Sequence, residues 1–118
     1  MNISQQARER LALQHEKYLN SLGAKKARIQ ECWKSIQSGG WTIERLNMLK
    51  TEVHRLSGSA GSYGLNELGS AAQDLDRTLA METEMSSLSS AIGDLVSALF
   101  VAFDQAIESR PPTQNQTH

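Results

Sequence analysis

The first 110 residues contain no proline, and both prolines, Pro111 and Pro112, fall in the last eight positions. Proline removes a backbone donor and clashes with the preceding turn of a helix, so nothing before position 111 forbids one. Aromatic residues make up only 5% of the chain, which leaves Leu, Ala, Ile, Val and Met to build the core. An all-α fold with an aliphatic core follows, and 118 residues suffice for one domain. We expect a domain over 1–110 and a disordered polar tail over 111–118, the polar composition setting in at Ser109.

Five segments carry apolar residues at helical spacing, each with a stop signal. The first includes Ile3, Ala7, Leu11, Tyr18 and Leu22 and stops at Gly23; the second carries Ile29, Trp33 and Ile36 and stops at Gly39-Gly40. The third opens at Thr42 as N-cap, with Glu44 in its first turn. Its seam is Ile43, Leu46, Leu49, Val53, Leu56 and Ala60, and it ends near Tyr63-Gly64. The fourth follows Leu65 with Asn66 as N-cap and carries Leu68, Ala72, Leu75 and Leu79. The fifth starts near Thr83 and shows Leu88, Ile92, Leu95, Leu99, Phe103 and Ala106. Links this short place successive helices antiparallel, giving an up-down bundle.

A net charge of −1 argues against a nucleic-acid binder, which needs a basic excess to neutralise phosphates. The charge is uneven, however: residues 1–55 hold ten Lys/Arg against five Asp/Glu, and residues 56–118 hold two against eight. A basic half suits an acidic partner, although solvated helix faces of uneven sign are the commoner cause. No apolar run is long enough to span a bilayer, and the N-terminus lacks the basic and apolar regions of a signal peptide. A lone Cys32 cannot form an internal disulfide, so a cytoplasmic, monomeric protein without membrane contact is the expectation. Cys32, Trp33 and Trp41 read as packing residues, His15 as a satisfied core or boundary histidine, and His118 belongs to the tail. No cluster has metal-ligand spacing, so no metal or cofactor is expected on the chain.

At 100° per residue, His54 projects roughly 120° away from the mean of the third seam, toward solvent. Lys50, Thr51, Ser57, Gly58 and Gly61 lie above and below it. Glycine inside a helix costs about 0.5–1 kcal/mol against alanine, so Gly58 and Gly61 call for a compensating cause. Either they let another protein reach the imidazole, or they let a neighbouring helix pack closely; spacing leaves both open.

The run His54-Arg55-Leu56-Ser57-Gly58-Ser59-Ala60-Gly61-Ser62-Tyr63-Gly64-Leu65, continued by Asn66-Glu67-Leu68-Gly69-Ser70-Ala71-Ala72, resembles histidine-containing phosphotransfer (HPt) domains, including those of chemotaxis-type histidine kinases. The resemblance implies a four-helix bundle, here with an additional N-terminal helix. Its exposed histidine carries a phosphoryl group between a histidine kinase or receiver domain and a response-regulator receiver aspartate. It makes His54 the phosphoacceptor, Gly58 the small residue opening access to it, and Asp76, 22 residues on, the carboxylate that orients the ring. Independently, Asp76 falls roughly 70° from the mean of the fourth stripe, at its edge, where either a solvated acid or a partner for the third helix fits. Many members carry a lysine three residues after the histidine, where this chain has Ser57, a hydroxyl with one hydrogen bond to offer. Lys50 and Arg55 are the cations left to supply charge and to meet an acidic receiver pocket, and Gln73 occupies a position where some members place a second polar group. The protein would then be a carrier rather than an enzyme, with Mg²⁺ on the partner. The alternative is a module of the same fold that docks on a receiver without being phosphorylated.

Overall fold

A computed structural model describes residues 4–81 and 89–108, and within them the only regular structure is helical. The sequence-derived fifth-helix start near Thr83, its Leu88, Ile3 of the first helix and the tail with His118 lie outside the described residues. The elements are α1 (Gln5–Asn20), α2 (Leu22–Gly39), α3 (Ile43–Ser59), a 3₁₀ turn (Gly61–Tyr63), α4 (Asn66–Met81) and α5 (Ser89–Glu108).

Local chemistry sets the boundaries. Ser4 Oγ accepts from the Ala7 amide at 3.1 Å to cap α1, and Thr42 Oγ1 does the same for Arg45 at the start of α3. Where α2 stops, Gly40 adopts φ 86, and Arg45 reaches back from α3 to donate to the carbonyls of Gly39 (2.9 Å) and Gly40 (3.2 Å). That guanidinium satisfies carbonyls that the helix leaves without internal donors. After α3 the chain tightens into the 3₁₀ turn and reverses at Gly64, whose φ of 80 lies in the left-handed region. The fourth helix begins one residue earlier than the N-cap reading: Asn66 is already helical, and the Leu65 carbonyl accepts the first bond, from Gly69.

The α1–α2 boundary is not at Gly23. Ser21 keeps right-handed helical dihedrals, and bonds from its amide to the Lys17 carbonyl and from the Lys25 amide to its own carbonyl carry helical pairing through the junction. Gly23 sits inside α2 with a negative φ, so it terminates nothing.

Around the core, α3 packs on α4, α4 on α5, α5 on α2 and α2 on α3, closing a ring. Leu22, Ile29, Leu49, Val53, Leu75 and Phe103 are fully buried at its centre, each worth about 1.5–3 kcal/mol of apolar burial. Trp33 and Trp41 pack edge to face at the rim with centroids 6.0 Å apart. Cys32 is buried, and burial first, then Glu52 and Glu31, pushes its thiol pKa up, which keeps it unreactive.

Two expected core contributions are absent. Leu11 is 56% exposed and Ile43 68%, because the N-terminal part of α1, through Leu13, and the first turn of α3 extend past the core. His15 is exposed at the bundle edge, where its Nε2–H donates to the Tyr63 carbonyl at 3.0 Å and its ring stacks on Tyr63. On α5, Val96 and Ala102 are buried while Leu95 is only half-buried.

Candidate functional site

The α3 residues Leu49, Val53, Leu56 and Ala60 point into the core, which turns His54 outward with its side chain 77% exposed. On α4, Leu68, Ala72, Leu75 and Leu79 are buried, so Asp76 stands at the stripe's edge with its side chain 27% exposed. Two apolar stripes packed on each other therefore bring the imidazole and the carboxylate together. His54 Nδ1 lies 3.0 Å from Asp76 Oδ2. An ionised carboxylate only accepts, so Nδ1 carries the hydrogen and the lone pair of the neutral ring is left on Nε2. An oriented imidazole with one nucleophilic nitrogen facing solvent can attack an electrophilic phosphorus.

The other candidate residues divide. Lys50 and Arg55 line the same surface depression as His54 and Asp76. Lys50 is half-buried and has no ion pair among the described residues, whereas the Arg55 guanidinium lies 3.8 Å from Glu52, which Arg28 also approaches at 3.9 Å. Ser57 is turned inward: its hydroxyl donates to the His54 carbonyl at 2.8 Å, so its hydrogen is already used. Gln73 is exposed one turn before Asp76 and makes no side-chain hydrogen bond among the described residues. Gly58 is exposed within α3, and a Cβ built there meets nothing within 4 Å. Gly61 is exposed too, but it lies in the 3₁₀ turn rather than on the helix.

The glycine that does permit close packing is another one. A Cβ at buried Gly69 would come 3.3 Å from the Gly61 backbone nitrogen, so α4 crosses the turn there on bare backbone. A small residue inside the α4 apolar stripe was the available signal. Asn47 and Thr51 also line the depression, two turns and one turn before His54 on α3. Thr51 stands out from its spacing; Asn47 requires extending the same helical register by another turn.

The family model for the Hpt domain matches residues 5–108. The chain belongs to the Hpt domain family. Membership implies histidine phosphotransfer in a two-component phosphorelay, with receiver domains and histidine kinases as the interacting classes. Neither the curated proteins nor the solved structures contain a match to this Hpt chain. Among the described residues of this Hpt domain, no helix is long and apolar enough to cross a membrane, and no three His, Cys, Asp or Glu side chains cluster as metal ligands.

Proposed function

We propose that this protein is a phosphorelay carrier. The lone pair on His54 Nε2 attacks the phosphorus of a receiver's aspartyl phosphate or of the γ-phosphate of kinase-bound ATP. The N–P bond forms as the P–O bond breaks, and the electron pair leaves on the carboxylate or on ADP. The reverse attack, by a receiver aspartate, returns the ring to its free state. The hydrogen stays on Nδ1 and is donated to Asp76 throughout, so the carboxylate stabilises the positive charge that develops on the ring.

The observation that carries this reading is the 3.0 Å contact between an exposed His54 and Asp76 across α3 and α4. Phosphoryl transfer depends on positioning and on neutralising oxygen charge. The chain offers the first, while the partner supplies Mg²⁺ and its acidic pocket, so the protein acts as a substrate-like carrier in the cytoplasm and not as an enzyme. Lys50 and Arg55 meet the acidic receiver, and Gly58 and Gly61 leave room for its backbone. The scaffold in this reading is a monomeric up-down bundle of α2–α5 with α1 as the additional N-terminal helix.

Ser57 favours a second reading, in which the domain docks on a receiver without being phosphorylated, because its hydroxyl is held by the helix. Mixing the chain with a phosphorylated receiver separates the two. We expect an acid-labile, alkali-stable phosphate on the chain, lost in His54→Gln; binding without label supports the docking module, and equal labelling of His54→Gln rejects His54 as acceptor.

A further inference from the structure

The two sides of His54 along α3 differ. Downstream, Ser57 gives its hydroxyl hydrogen to the His54 carbonyl, and the next residue, Gly58, has no side chain. Neither of these two residues has a free hydrogen-bond donor or a charge to offer a group on the ring, and Arg55, the cation of that turn, lies beside Glu52. Upstream, Asn47, Lys50 and Thr51 line the depression that His54 and Asp76 also line. Side chains on a helix lean toward its N-terminus, so the imidazole covers the turn that carries Lys50 and Thr51 rather than the turn of Gly58.

The charges in the depression are unequally engaged. Asp76, the acid there, accepts the ring hydrogen at Nδ1. Arg55 has Glu52 within 3.8 Å. Lys50 is half-buried, reaches no carboxylate within 4 Å among the described residues, and keeps its three donors.

Resting on the reading of His54 as phosphoacceptor, we propose that Lys50 is the cation that binds the phosphoryl oxygens on His54, assisted by the Thr51 hydroxyl and the Asn47 amide. The oxygens are held on the upstream side of the ring, and the partner enters over the open Gly58 side. Lys50 thereby takes the place of a cation at position 57.

A small anionic donor tests this without any partner protein. Phosphoramidate transfers its phosphoryl group to Nε2 as its P–N bond breaks and ammonia leaves, and ³¹P NMR follows both the rate and the subsequent titration of the phosphohistidine. Lys50→Gln should react about five- to tenfold more slowly, as loss of one adjacent charge in a water-exposed site implies. Its phosphoryl group should also titrate at higher pH than in the wild type. Lys50→Arg should stay near wild type in both. If Lys50→Gln matches the wild type with phosphoramidate, including the case where it slows transfer from a receiver alone, Lys50 serves the partner and the proposal is overturned. Equal losses in Lys50→Gln and Lys50→Arg overturn it as well, since charge is then not the cause. Absence of any phosphohistidine on the wild-type chain would instead overturn the reading of His54 itself, and this proposal with it.

Discussion

At His54 the chemistry is set by which nitrogen carries hydrogen. Asp76 fixes that choice from a neighbouring helix, at the edge of the core rather than within it, so its removal should act on the ring and leave the packing alone. Asp76→Ala is expected to slow phosphorylation about tenfold or more, by analogy with carboxylates that orient metal-binding histidines. The same change should cost less than about 1 kcal/mol in urea unfolding, as for other partly exposed pairs. An unchanged rate would reject the orienting role. Gly58 allows a test in which stability and function move in opposite directions. With open space around its missing Cβ, Gly58→Ala should stabilise the fold by about 0.5–1 kcal/mol. Gly58→Phe should fold equally well yet transfer poorly with a receiver while still reacting with phosphoramidate. Equal receiver transfer by Gly58→Phe would show that the partner does not approach over this position.

Among the elements, the turn between α3 and α4 decides whether His54 and Asp76 meet. It depends on two glycines for different reasons. Gly64 supplies a left-handed φ of 80, which costs an L-residue about 1 kcal/mol, so Gly64→Ala should lower stability by that amount. Gly69 supplies absence of bulk, and Gly69→Val should cost about 1–3 kcal/mol because the nearest atoms are the backbone of Gly61 and cannot swing aside. Denaturant midpoints give both values; a neutral Gly69→Val would mean that the turn yields. Of these two positions, Gly64 was legible in the sequence as a helix stop, whereas the need for Gly69 arises only where two backbones cross. The same division runs through the helices. The α3 and α4 stripes are readable because 3.6-residue periodicity records burial directly. The junction at Ser21 is not, because a glycine two residues later satisfies the same stop pattern without being used for it.

Over the whole molecule, part of the charge asymmetry is spent inside the fold. Lys26 on α2 pairs with Asp104 on α5 at 2.6 Å, joining the basic and acidic halves of the chain. In the proposed relay the cations that remain on the His54 face meet an acidic receiver, so raising ionic strength should lower the bimolecular rate of transfer with a receiver several-fold, as screening of steering requires. The first-order transfer within the complex should not change. A salt-independent bimolecular rate, read from stopped mixing at several salt concentrations, would remove charge steering from the account.

The sequence by itself determined that the chain is helical, that its core is aliphatic, and that His54 faces outward, since each depends on composition or on spacing along one segment. It also placed Asp76 at the edge of its stripe. Tertiary structure decided the rest: the 3.0 Å contact that joins Asp76 to Nδ1, and the exposure of Leu11 and Ile43 beyond the reach of the core. Those facts depend on where a second helix ends or crosses, and periodicity within one helix carries no record of that.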